Sequence, residues 1–297
     1  MKVLEFFNKG NGGYLDDPLY YFNFQRFEDS TDDFYLFLGD VYQPLLSNDY
    51  KDKPRVVLSL EEPNFCTPGH HVDTFNQTDL VLSLCPYTSE TLNNRQFVFF
   101  PYPESLIKDK FDKEYDIIYT GHYHGSLIPS FVKTISQFNY RFVKYQPDPL
   151  VTNPGCSYLE KLDLYSKSKI SLVHNLLFPN MGDVPRYKQF PNADKNKAFE
   201  LLDYGLMPQI KSRLLEAAFN KSLILCFKDR WNVIEYLFEP NKEFIYFDNN
   251  DDLKEKINYI LNNYSEFTHV IEAAYNKAVN NYTTYHFYEK YLKNINI

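Results

Sequence analysis

The sequence predicts an α/β protein built on parallel, doubly wound sheets and divided into two domains. Short apolar runs recur along the whole chain, and in the second half they alternate with helical patterns. Their apolar character is continuous rather than every-other-residue, as in strands covered on both faces. A chain of 297 residues is long enough to bury two such cores.

In the first third the candidate strands are "KVLEFF" (2–7), "DFYLFLGD" (33–40), "RVVLSLEE" (55–62), "DLVLSLCP" (79–86) and "QFVFFPYP" (96–103). Helices between them are short or weakly signalled, so residues 1–105 read as a trimmed Rossmann-like domain. The polar stretch "YPESLIKDKFDKEYD", Tyr102 to Asp116, reads as the linker to a second domain over 106–297. There "YDIIYTG" (115–121) is a strand ending on glycine, "LIPSFVKTISQF" (127–138) a helix and "YRFVKYQ" (140–146) a strand. "YLEKLDLYSKS" (158–168) is the next helix and leads into the strand "KISLVHN" (169–175).

Beyond a polar loop, "LMPQIKSRLLEAAFNKSLILCF" predicts a helix with Pro208 in its first turn, where a missing N–H costs nothing. Ile210, Leu214, Ala217 and Ala218 form its inward face, and the strand "SLILCF" (222–227) follows. "WNVIEYLF" (231–238) is helical, "KEFIYFD" (242–248) a strand, "DDLKEKINYILNNY" (251–264) a helix, and the tail from Glu266 to Ile295 helical again. Ligands of doubly wound sheets bind beyond the C-terminal ends of the strands. That rule gathers "TGHYHG", the segment after His174 and the Pro208 helix around one crevice.

Composition excludes several classes. The net charge of −8 and a pI near 5.4 lack the basic footprint of a general nucleic-acid binder. No apolar run approaches the ~20 residues that span a bilayer. The start "MKVLEFFNKG" lacks a signal-peptide core, so a cytoplasmic location is expected. Cys66, Cys85, Cys156 and Cys226 form no CxxC pair, which argues against a zinc cluster or a disulfide scaffold. No GxSxG, P-loop or GxGxxG motif occurs, and no DxD metal site stands at a strand end, so neither a metal nor an organic cofactor is expected.

From about Tyr115 to the C-terminus the chain offers "IIYTGHYHG", a Tyr-containing helix before "KISLVHN", a "K-x-R-x-x-E-A" helix (Lys211, Arg213, Glu216, Ala217) and the ending "IEYLFEPNKEFIYFDNNDDLKEKI". In this order they resemble the nucleotide-sugar-binding domain of GT-B glycosyltransferases, above all the group with spore-maturation-type C-terminal domains. No single piece is specific; their order over some 180 residues carries the likeness. Two positions depart from the pattern. Pro208 stands where many retaining relatives carry the first glutamate of a Glu-x7-Glu pair, and Asn220-Lys221 replaces the glycine of "EA-x-x-G". In layout only, "VVLSLEEPNF", "FNQTDLVLSLCPY" and "FVFFPYP" are reminiscent of inverting fucosyltransferases.

The resemblance implies a GT-B fold, two Rossmann-like domains facing a central cleft, with the last helix a candidate to cross back onto the first. It implies transfer of a sugar from a UDP- or GDP-linked donor to a hydroxyl of a glycan or other acceptor. Inversion without a metal is the expected mechanism. Arg213, whose planar fork matches two phosphate oxygens, is the first candidate for the diphosphate, with Lys211 second at a helix N-terminus that favours anions. Glu216 would accept from a ribose or sugar hydroxyl or orient Arg213; the alternative is a plain Arg–Glu helix pair. Gly121 with His122 or His124 would cover the phosphates, or form an ordinary glycine turn. His174 and Asn175 could meet the nucleoside. The general base would be Glu62 or Glu61, beside Pro63, with His71 or His70 as competitor, or the stretch is a solvated loop. Rival functions are a non-catalytic glycan-binding scaffold and a sugar-nucleotide epimerase of the same fold.

Overall fold

The computed structural model describes residues 1–6, 21–28, 33–39, 47–59, 77–87, 94–121, 127–177, 206–295 and 297. Glu61, Glu62, His70, His71, His122 and His124 lie outside the described residues.

Two parallel sheets organise the molecule. The first contains β1 (Lys2–Phe6), β2 (Tyr35–Gly39), β3 (Arg55–Ser59), β4 (Leu80–Ser83) and β5 (Arg95–Phe97), side by side in chain order. The second holds β6 (Tyr115–Thr120), β7 (Tyr140–Lys144), β8 (Asn153–Pro154), β9 (Ser168–Val173), β12 (Leu223–Phe227) and β13 (Ile245–Phe247), in the order β13-β12-β9-β6-β7-β8. A two-stranded antiparallel pair, β10 (Leu176–Leu177) with β11 (Met207–Pro208), stands apart. The continuous apolar runs are covered on both faces as expected: Val56, Val57 and Leu58, like Ile117, Ile118 and Tyr119, are fully buried.

Helices α1 (Leu127–Ile135), α2 (Tyr158–Ser166), α3 (Ser212–Phe219), α4 (Asn250–Asn262) and α5 (Thr268–Asn281) surround the second sheet. Their starts follow local chemistry. Ser157 and Glu160 form a reciprocal capping box at α2. Asn249 accepts from the Asp251 and Asp252 N–H groups at α4, whose first-turn carboxylates also suit the helix dipole.

Two expectations need correction. The helix expected from Pro208 begins only at Ser212, because the preceding N–H groups bond elsewhere. Gln209 N donates to Asn175 O (2.9 Å), Ile210 N to Leu84 O (3.0 Å) and Lys211 N to Asn175 Oδ1 (3.3 Å). The helix expected over 231–238 is a 3₁₀ turn, Val233–Tyr236, entered through Asn232 in the left-handed region (φ 49°). The stretch read as a linker runs from β5 of the first sheet to β6 of the second, and its start is anchored: Tyr102 is buried and stacks on Phe219 at 4.0 Å. Farther along it, Lys113 Nζ donates to the carbonyls of Ser166, Ser168 and Asn220.

The C-terminal tail packs against residues of the first sheet's side. After α5, α6 (Thr284–Phe287) and a π-helical turn (Tyr288–Leu292) bring Phe287 against Phe24 and Phe99, and Tyr288 into a stack on Phe27 at 4.1 Å. Thr284 N donates to Tyr102 O and Tyr102 N to Tyr282 O, fixing the start of that return. One apolar core therefore runs through both sheets' inner faces, from Leu36 and Leu58 to Leu214 and Ala274. Among the described residues no helix is long and apolar enough to cross a membrane.

Candidate functional site

β6 and β9 are neighbours in the second sheet, and the chain beyond their C-terminal ends meets the start of α3. Asn175, fully buried, fixes that meeting. Its carbonyl and its side-chain Oδ1 accept from Gln209 and Lys211, while its Nδ2 faces Cys226 Sγ at 3.8 Å on β12. Ile210 between them reaches Leu84 just past β4. Three consecutive N–H groups thus tie the entry to α3 to the strand ends of both sheets. Asn175, expected at the nucleoside, has its side chain engaged in holding this turn.

Arg213 lies in the first turn of α3, and its guanidinium is enclosed from three sides. Nη1 is 2.9 Å from His174 Nε2, and Cζ lies 5.2 Å from the centroid of the Tyr119 ring. On the third side is Gly121, at φ +116°, where an added Cβ would sit 2.5 Å from Arg213 Nη2. Gly121 follows β6 and is held to the sheet by its N–H bond to Val143 O (3.0 Å). Below it, Thr120 Oγ1 and Tyr165 OH are joined at 2.7 Å in the buried interior. Lys211 reaches Gln209 Oε1 with its ammonium. Gly121, His174, Asn175, Lys211 and Arg213 are therefore one cluster, and two cations stand at a helix N-terminus. Such an arrangement suits an anion with paired oxygens.

Glu216 points elsewhere. Its carboxylate is buried against Lys161 Nζ at 2.7 Å, with both side chains 1% exposed. The Arg213–Glu216 helix pair is therefore replaced by two separate partnerships, Arg213 with His174 and Glu216 with Lys161. Sequence reasoning missed Lys161, although a signal was present. Lys161 falls at helical spacing among Tyr158, Leu162 and Tyr165, on the buried face of α2, where a cation requires a partner. The Asn220 departure is harmless to the helix end. Asn220 adopts φ −102°, which needs no glycine, and its Nδ2 bonds to Glu216 O and faces Tyr102 OH. The following Lys221 carries the left-handed turn at φ 49°.

Asp229, which belongs to no motif, was not singled out from the sequence. It stands two residues past β12, the strand beside β9, and is 7% exposed. Its Oδ1 accepts from Trp231 N (2.8 Å) and Asn232 N (2.9 Å), bonds that favour the carboxylate. Burial outweighs them and pushes its pKa up to about 6. The native pKa exceeds the unfolded value of about 3.9, so the native state holds the extra proton between these values. The stability it contributes is complete below pH ~4 and is lost as pH rises through ~6. Asp229→Asn keeps the acceptor without the charge. In urea titrations it should match wild type near pH 4 and exceed it by about 2 kcal/mol at pH 7. An equal difference at both pH values would mean that Asp229 does not titrate in this window.

Two parallel α/β sheets, with Arg213 and Lys211 at a helix start beside the strand ends of the second, define a protein of the GT-B class. The family model described as "Glycosyl transferase-like" matches residues 119–293, more than half of the chain, and the chain belongs to that family. Comparison with curated protein sequences gives no match. Among solved structures, a variant of S. aureus TarM in complex with fondaparinux, alpha-GlcNAc-glycerol and UDP is similar at 11% identity and a TM-score of 0.58. That likeness covers 92% of this chain and 57% of TarM, so this chain spans less than two thirds of TarM's length. Anabaena HepE in complex with UDP-glucose is similar at 9% identity and a TM-score of 0.53, covering 86% of this chain and 76% of HepE. A glycosyltransferase from Rickettsia africae is similar at 11% identity and 0.52, covering 93% and 78%. At these identities the likeness establishes the fold alone.

Proposed function

We propose that the protein transfers a sugar from a nucleotide-sugar donor, UDP- or GDP-linked, to a hydroxyl of a glycan or other acceptor, by direct inverting displacement and without a metal. The observation that carries this reading is the placement of Arg213. Its guanidinium lies beside Gly121 at the first turn of α3, where fork, helix N-terminus and Lys211 together favour a departing diphosphate. Family membership and the UDP-bound TarM and HepE structures support a nucleotide-sugar donor. Glu62 or Glu61, with His71 as competitor, is proposed as the base that takes the acceptor proton. His122 and His124 are proposed donors to the phosphates.

The test is thermal unfolding with UDP, GDP and their common sugars, with and without Mg²⁺, on wild type and Arg213→Ala. A ligand at about 100 times its Kd adds ~2.7 kcal/mol of stability, a readily measured shift. One nucleotide should shift the wild type irrespective of Mg²⁺ and should leave Arg213→Ala unmoved. If no nucleotide shifts the wild type, the donor site is lost as an explanation and a binding scaffold becomes the better account.

A further inference from the structure

The loop beyond β12 holds two acceptor oxygens without donors. Asp229 is more than nine-tenths buried, and its Oδ1 takes both of its hydrogen bonds, from Trp231 N (2.8 Å) and Asn232 N (2.9 Å). Among the described residues no donor reaches its Oδ2. Asn232 stands in the left-handed region at φ 49°, and its own Oδ1 is buried with no donor. A buried acceptor left unpaired costs the desolvation of that group. Two of them in one four-residue loop therefore mark a place that a ligand's donors would complete. Burial also holds the Asp229 carboxyl well above the usual carboxylate range, as at sites where stability yields to binding.

The place of the loop narrows the ligand. β12 lies beside β9, and its Cys226 Sγ faces Nδ2 of Asn175, the residue that holds the entry to α3. At the other end Tyr236, in the 3₁₀ turn that follows Asn232, packs edge-on against Phe97 of β5 at 5.3 Å. The loop thus runs from the strand ends beside the Arg213 cluster to the first sheet. A sugar passing from a diphosphate on the second domain to an acceptor on the first must lie between them, and the nucleoside need not. We propose that Asp229 and Asn232 form a subsite for the transferred sugar, with Asp229 Oδ2 and Asn232 Oδ1 each accepting from a sugar hydroxyl. This rests on the donor-site reading above. A hydroxyl on the carboxylate makes a charge-assisted bond, the stronger of the two, and a site built around such bonds discriminates against ligands that lack the hydroxyl.

The experiment measures Kd by calorimetry for UDP, GDP, UDP-glucose, UDP-N-acetylglucosamine and GDP-mannose on wild type, Asp229→Asn and Asn232→Gly. Both variants keep the loop. Asparagine retains the Oδ1 that accepts from Trp231 and Asn232 and puts an amide NH₂ in place of Oδ2, and glycine adopts φ 49° without strain. For the nucleotide sugar that wild type binds most tightly, Asp229→Asn should weaken binding roughly tenfold and Asn232→Gly about threefold, with the bare nucleotide unchanged. A purely structural loop would move the unfolding midpoints of the variants and leave the ratio of the two affinities as in wild type. That ratio unchanged, with nucleotide still bound, overturns the subsite and leaves the donor-site reading standing. An equal loss for nucleotide and nucleotide sugar gives the loop to the nucleoside and overturns it too. If wild type binds none of the five, the subsite falls together with the donor-site reading.

Discussion

Lys161→Met should destabilise the protein by about 3–5 kcal/mol, because it leaves a buried carboxylate without its cation. Lys161 and Glu216 are each 1% exposed and join α2 to α3 in the interior. The ammonium lies 2.7 Å from both carboxylate oxygens, but only its contact with Oε1 has hydrogen-bond geometry, and Oε2 has no other donor. Methionine fills similar space and removes the charge that makes a buried carboxylate tolerable. Glu216 must then protonate or draw in water, and either response loosens α3 behind Arg213. The double variant Lys161→Met/Glu216→Leu should recover most of the loss, because a well-packed apolar pair often matches a buried ion pair. Urea midpoints at constant m-value would measure both. A single-variant cost below about 1 kcal/mol would place the pair in the class of solvated ion pairs and sink the argument. The double variant also bears on function. If it folds normally and still binds nucleotide, Glu216 serves the helix rather than a ribose hydroxyl.

How much of this was legible in the sequence depends on the range of the forces involved. Runs such as "RVVLSL" and "YDIIYT" announced buried parallel strands because apolar continuity is a local property. Helices α2 and α4 were legible for the same reason, through their periodicity and their caps. The start of α3 was not, because Pro208 through Lys211 suits a first helical turn equally well. Hydrogen bonds to Asn175 and Leu84, distant in sequence, decided it. The two-residue strands β8, β10 and β11 are too short to leave any periodic trace. Within the crevice, Arg213 and Gly121 were legible as chemistry, a fork at a helix start and a glycine at a strand end. Their mutual contact and the approach of His174 to the guanidinium arise from the adjacency of β6 and β9, which one-dimensional spacing does not encode.

That contact makes Gly121→Ala the sharpest probe of the crevice. Nucleotide affinity should fall by about tenfold or more, the worth of a lost charge-assisted contact, while the fold survives. Two separate effects add in this variant. The backbone sits at φ +116°, which an L side chain rarely adopts, at a cost of about 1–3 kcal/mol. The new Cβ would also lie 2.5 Å from Arg213 Nη2 and 3.2 Å from Cζ, so the guanidinium must move off His174 and away from the α3 N-terminus. The end of an arginine side chain moves cheaply, so the second effect falls on the site more than on stability. Arg213→Ala separates the two. With the guanidinium gone, Gly121→Ala should cost only its backbone strain, and nucleotide affinity should not drop beyond that of Arg213→Ala alone. If the affinity losses of the two substitutions instead add in full, Gly121 acts on the ligand directly, through close backbone approach. Arg213 would then bind independently of the glycine beside it, and the cluster would have to be read as two sites rather than one.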